Sequence, residues 1–193
     1  YGMLETVRQY GHERLVEAGE ADEVRARHLT EFMRLAELYY TNRFVREEAW
    51  NERVTSELDN FRAALSFARD RDAEQYLTLV GALGYFWGAR SHFAEGREHV
   101  KTAVAQSSAQ PLRRAYARAV RGLGMLVAYE GDARTARDAM ETGLRMWREL
   151  GDTFETATSL ETLGWSQFFA SEDEQACATF EELLGVVREL GDP

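Results

Sequence analysis

The chain is short of several things, and each shortage excludes something. Only two prolines, Pro111 and Pro193, occur in 193 residues, so long helices can run uninterrupted. A single cysteine, Cys177, cannot close an internal disulfide, which fits a reducing cytosol. The only lysine is Lys101, and no Gly-x-x-x-x-Gly-Lys-Ser/Thr phosphate loop exists. Positive charge is in deficit: the net charge of -10 argues against a general nucleic-acid-binding face. Long hydrophobic runs are missing too. The most apolar stretch, Tyr76 to Ala89, is 14 residues, too short for a membrane-crossing helix, and reads as a buried core helix. No secretory leader is visible, since Tyr1 opens into a charged amphipathic stretch. The first residue is not methionine and the last three are Gly191-Asp192-Pro193, so the expectation is a cytoplasmic segment of something longer.

What is abundant points one way. Ala, Leu, Glu and Arg all favour helices, and a hydrophobic content of 45% supplies a sizeable core. The expected class is all-α.

The pentapeptide Arg-Glu-Leu-Gly-Asp occurs twice, at 148–152 and 188–192, forty residues apart. The period extends beyond it. Leu83-Gly84, Leu123-Gly124 and Leu163-Gly164 are forty apart, as are Gly96, Ala136 and Ala176, and the bulkier Val100, Met140 and Phe180. Repetition at this period signals a solenoid in which each unit is an antiparallel helix pair. The glycine of the first helix admits a close neighbour. The small residue of the second helix sits at the crossing, and the bulky one fills the gap one turn on. Expected pairs are 74–90 with 93–107, 112–130 with 133–150, and 154–170 with 173–190. The pentapeptide then reads as punctuation: its glycine ends a helix in the left-handed conformation and its aspartate caps the next.

Ahead of the repeats, Trp50, Val54, Leu58, Phe61 and Leu65 mark one amphipathic helix over about 46–70. A second is expected over 28–40 and a third over 3–17, with a break at Gly19 or Glu20. The boundaries are a helical lead-in, 1–70, and three helix pairs over 71–193 (about 74–110, 112–152 and 153–192), in all about nine helices.

Leu-Gly followed by a small and then a bulky apolar residue resembles the tetratricopeptide repeat, although the units are longer and lack that signature's late proline. The resemblance implies a right-handed superhelical solenoid with the first helix of each pair lining a concave groove. The front of the chain carries a second resemblance. Glu5-Thr6-Val7-Arg8-Gln9-Tyr10, Glu13-Arg14-Leu15, Arg27-His28 and Glu57-Leu58-Asp59-Asn60-Phe61-Arg62-Ala63-Ala64-Leu65 together look like bacterial signal-transduction ATPases and transcriptional regulators of the LuxR type, built on an NB-ARC-like switch module. In that family the first motif closes a winged-helix region after the ATPase, and the second leads into a repeat array. The resemblance implies a sensor or scaffold arm, not an enzyme. ATP is expected only in an upstream domain, and no cofactor in this chain.

Candidate chemistry within the chain is sparse. His12, His28, His92 and His99 form no metal-ligand spacing and read as surface or capping residues. Cys177, beside Ala176, reads as a small core filler. Glu172-Asp173-Glu174 reads as acids complementing a helix dipole rather than a calcium cluster. The stretch from Arg113 to Arg121 carries more. Arg114, Arg118 and Arg121 fall on one helix face, opposite Tyr116, Val120 and Leu123.

Counting from each Leu-Gly, the groove-facing positions are Thr78, Gly81 and Tyr85, then Arg118, Arg121, Met125 and Tyr129, then Glu161, Trp165 and Phe169. With Arg114 these make the candidate binding groove. Arginine forks and aromatic rings would suit a protein or peptide carboxylate or a small anionic effector. The competing reading has the arginines paired with acids of adjacent units and Trp165 packed between helices. No direct nucleic-acid or membrane contact is expected, and an exposed apolar face at either end would favour self-association. A stand-alone helical adaptor for protein assembly is the alternative role.

Overall fold

The computed structural model describes residues 5–107, 113–129 and 131–191, apart from the side chains of residues 5–8 and 12. Within these residues the chain forms ten helices: α1 (Glu5–Glu17), α2 (Ala21–Asn42), α3 (Glu47–Ser56), α4 (Leu58–Arg71), α5 (Ala73–Ala89), α6 (Phe93–Gln106), α7 (Arg113–Ala128), α8 (Ala133–Leu150), α9 (Thr153–Phe169) and α10 (Asp173–Leu190). From α5 onward they make three antiparallel pairs stacked in a solenoid, α5 with α6, α7 with α8 and α9 with α10.

Backbone conformation repeats with the sequence. The turn inside each pair passes through one left-handed residue, at Ser91 (φ 59), Gly131 (φ 85) and Ser171 (φ 61). Gly151 (φ 66) and Gly191 (φ 73) end the second helices of the last two pairs, whereas α6 ends at an extended Ser107. Asp152 then caps α9 by accepting a bond from the Glu155 amide, as Asp72 and Asp132 cap α5 and α8. Asp192 of the second pentapeptide lies outside the described residues.

The glycine rule holds in two units. An added Cβ at Gly124 would stand 2.6 Å from Met140 Cγ, and one at Gly164 would stand 2.7 Å from the Phe180 ring. In the first unit the partner differs. Gly84 faces Gly122 of α7, Gly81 lies against the Ala115 carbonyl, and Trp87 rather than Val100 fills the space over Gly96. Small residues on α5 and α7 therefore let these two helices cross at close range.

The lead-in departs from expectation in two places. The helix expected over 46–70 is broken at Glu57 into α3 and α4. The Thr55 and Ser56 hydroxyls donate to the Asn51 and Arg53 carbonyls (2.7 and 2.8 Å), which competes with the helical ladder at that point. The helix expected over 28–40 starts earlier, at Ala21, straight after the left-handed Gly19 turn. Asp22 and Glu23 in its first turn complement the helix dipole.

The lead-in shares its core with the first pairs. Tyr39 and Leu29 of α2 and Phe61 and Leu65 of α4 belong to one buried cluster with Leu77, Phe86 and Trp87 of α5. The stretch from Tyr76 is thus the central core helix. The Asp-Asn-Phe-Arg-Ala-Ala-Leu segment is explained by packing: Phe61, Ala64 and Leu65 point inward, while Arg62 grips Glu95 of α6 with two bonds (2.8 and 2.9 Å). Side chains of Glu5 to Arg8 in the other front motif lie outside the described residues. At the far end α10 packs on α9 and leaves Leu184 and Leu190 exposed.

Candidate functional site

The first helices of the three pairs line one face, α2 closes one side of it, and α8 contributes to its floor. Together they enclose a cavity of about 720 Å³, within the range of small-ligand and peptide pockets. Gly81, Tyr85, Arg118, Arg121, Met125, Tyr129, Glu161, Trp165 and Phe169 all line it. Two candidates do not. Arg114 turns away to pair with Asp152 and lies over the Trp147 ring, and Thr78 bonds its own helix at the Glu74 carbonyl.

Four of the lining aromatics are well exposed: Phe44 at 45%, Trp165 at 48%, Tyr129 at 66% and Phe169 at 78%. Trp165 is therefore not wedged between helices. Its indole stacks on Phe169 (centroids 6.0 Å) and meets Phe180 edge-on. Across the groove Phe44 meets Tyr85 edge-on at 5.3 Å, and Tyr129 stacks on Phe93 at 4.6 Å.

For the arginines the competing reading holds. They are not free forks waiting for an anion, because each already holds an acid of another element. Arg118 makes two bonds to Glu37 of α2 (2.6 and 3.0 Å). Arg121, 5% exposed, donates to Glu155 of α9 and to the Tyr40 hydroxyl, both at 2.7 Å. Arg43, at the end of α2, donates to both Glu155 oxygens at 3.1 Å and to the Tyr40 carbonyl. Arg137, also in the cavity lining, pairs with Glu172. The buried set Arg43–Glu155–Arg121 joins α2, α7 and α9.

Burial pushes the Glu155 carboxyl up, but the Arg121 and Arg43 guanidiniums outweigh it and hold it below the ordinary carboxylate range. Burial raises the Tyr40 hydroxyl, against the pull of Arg121 and Arg43. The surplus cation of the set is spread over rings, with Arg43 4.0 Å from the Tyr40 centroid and 4.6 Å from that of Phe44.

Three readings outside the groove also change. Cys177 is exposed, because α10 buries only Ala176 against α9 and the next residue turns to solvent. His99 is half-buried rather than superficial: its Nδ1 meets the Tyr76 hydroxyl at 2.8 Å, and its ring stacks on Trp87. His92 stacks on Phe86 and makes no capping bond, and the His12 side chain lies outside the described residues. Glu172 of the acidic trio serves Arg137, while Asp173 and Glu174 occupy the first turn of α10. Among the described residues no group of three His, Cys, Asp or Glu could hold a metal ion. No helix there is long and apolar enough to cross a membrane.

Repeat periodicity does not reach Tyr40, Arg43 or Phe44. They sit at the end of α2, outside the forty-residue register, and join the site only because α2 packs on α5.

No family model matches the chain. It is 30% identical over 200 aligned residues to a Mycobacterium bovis protein named "Putative HTH-type transcriptional regulator Mb0914c", and equally to counterparts in two Mycobacterium tuberculosis strains. The alignment takes in 100% of this chain but 22% of each relative, so the chain spans about a fifth of their length. Among solved structures, it superimposes on a Podosopora anserina "putative kinesin light chain" with nearly identical TPR-like repeats, with a TM-score of 0.59 over 98% of this chain and 99% of that one. At 13% identity this likeness shows the fold alone: a TPR-like helical-repeat solenoid.

Proposed function

We propose that this chain is the non-catalytic sensor and scaffold arm of a multidomain transcriptional regulator, and that its concave groove takes a peptide segment of a partner protein. The observation that carries the reading is the cavity itself. Three successive first helices and α2 contribute to one trough of about 720 Å³ whose walls keep Trp165, Tyr129 and Phe169 exposed. Exposed aromatics clustered around a groove are the usual anchors of an interface. Similarity to HTH-type regulators along the whole chain supports placing it in such a protein. The front motifs support the LuxR-type, cytoplasmic setting, with ATP held by a domain outside this chain. A bound segment would bias the regulator only through different affinities for two arrangements of the array.

The test is selection of displayed random peptides on the 193-residue chain. Enriched peptides should lose at least about tenfold in affinity on a Trp165→Ala/Phe169→Ala chain, the range expected for removing two interface anchors. Both rings are exposed, so the fold should survive, which circular dichroism checks. Enrichment of no peptide, or equal binding to the double variant, would refute the groove.

A further inference from the structure

The cavity's charges sort unevenly. Each lining arginine has an acid on it: Arg118 holds Glu37, Arg121 holds Glu155 and Arg137 holds Glu172. The surplus cation, Arg43, is only 2% exposed and is covered by the Tyr40 and Phe44 rings, so it does not face the cavity. One ionised lining group remains. Glu161 is exposed on α9 and makes no hydrogen bond or ion pair among the described residues. It sits one turn before Trp165; burial raises the Tyr85 hydroxyl to about 12, with Glu47 and then Glu161 adding to the rise. The same cavity is lined by two aromatic pairs, Phe44 with Tyr85 and Trp165 with Phe169.

We propose that Glu161 and these rings receive a basic side chain, lysine or arginine, of the bound peptide. The inference rests on the groove reading above and reverses the charge expected from the arginines alone. A carboxylate among ring faces attracts an organic cation twice, by ion pairing and by the rings' negative faces. An anion would have to displace Glu37 or Glu155 from guanidiniums already gripped at 2.6–3.1 Å. A peptide fits better than a small amine. Aromatic residues line much of the cavity, and a lone ammonium would leave most of the 720 Å³ trough unfilled.

The probes are three blocked tripeptides, acetyl-Phe-Lys-Leu-amide and its Gln and Glu counterparts, with phenethylammonium as the small amine, all titrated calorimetrically at low salt. The lysine tripeptide should bind at least about tenfold more tightly than the glutamate one, a gap that narrows as added salt screens it. Glu161→Gln should erase the lysine preference and leave the glutamine tripeptide unchanged. A preference for the glutamate tripeptide, or a lysine preference that survives Glu161→Gln, overturns the proposal. So does absence of binding by every probe at millimolar concentration, and phenethylammonium matching the lysine tripeptide overturns the choice of a peptide. None of these results touches the groove reading, which stands or falls on the display selection. Enriched peptides that are acidic would keep the groove and reject this inference.

Discussion

Removing the Glu155 carboxylate is the perturbation that says most about how the array is held. Glu155 is 7% exposed and joins two buried cations, taking two bonds from Arg43 and one from Arg121. In Glu155→Ala both guanidiniums stay buried with their charge uncompensated, and breaking a buried pair this way costs about 3–5 kcal/mol. That is a large fraction of a typical domain's stability. The loss should be localised, because Arg43 ends α2 while Glu155 opens α9, 112 residues away. Hydrogen exchange should therefore accelerate first at the end of α2 and the start of α9.

Urea unfolding gives the global figure. Glu155→Gln, which keeps an acceptor but not the charge, should fall between wild type and Glu155→Ala. Replacing Arg43, Arg121 and Glu155 together with Met should recover much of the loss, since no charge is then stranded. The acid also sets a pH dependence. Its folded-state pKa is depressed, so its contribution is fully present above the ordinary glutamate value and disappears as pH falls through the lowered one. A Glu155→Ala chain within about 1 kcal/mol of wild type would refute the account, because it would show the pair to be no stronger than a solvated surface one.

Two further outcomes follow from the packing. Gly124→Ala and Gly164→Ala should each cost about 1–3 kcal/mol from overpacking, with Gly124→Ala the costlier. At Gly124 the added methyl meets the Ala136 backbone carbonyl at 3.0 Å as well as Met140, whereas at Gly164 its three nearest neighbours are all atoms of the Phe180 ring. Phe180→Ala should rescue Gly164→Ala in a double-mutant cycle, and additive losses would disprove the contact. Burial lowers the His99 pKa, against the pull of Glu95 and Glu98 and with help from Arg69 and Arg62. The unfolded chain then binds a proton before the folded one does, so stability should decline as pH drops below about 6.5. Urea midpoints from pH 7.5 to 5 should show that slope, and His99→Gln should flatten it; an unchanged slope would assign the effect to another group.

Along-chain features were legible because each depends on residues a fixed distance apart. The forty-residue period places Gly124 under Met140, Gly164 under Phe180, and left-handed turns at Ser91, Gly131 and Ser171. It also brings Tyr85, Arg121, Met125 and Trp165 to one face, since equivalent positions of stacked units point the same way. Two kinds of information escaped it. Local competition by the Thr55 and Ser56 hydroxyls split a helix whose apolar stripe runs unbroken through the split. Pairing across units could be named only as a competing reading, and its partners escaped, because Arg43, Arg121 and Glu155 meet at separations of 34 and 112 residues that no repeat dictates.

That second gap bears on the charge we propose for the groove's ligand. Counting residues put two arginines on its wall and suggested an anion. The acids that neutralise them come from α2 and from the first turn of α9, neither of which the repeat register places opposite them. In a solenoid, then, the ligand charge is set not by what lines the groove but by what remains unpaired after neighbouring units have met. By that criterion the residue we propose to govern the ligand charge is Glu161, a lining carboxylate with no hydrogen bond or ion pair among the described residues. The same criterion says which variants inform. Reversing Arg118 or Arg121 would disturb the fold through Glu37 or Glu155 before it reported on binding, whereas Glu161→Gln alters an unpaired charge and leaves the Arg118–Glu37 and Arg121–Glu155 ion pairs in place.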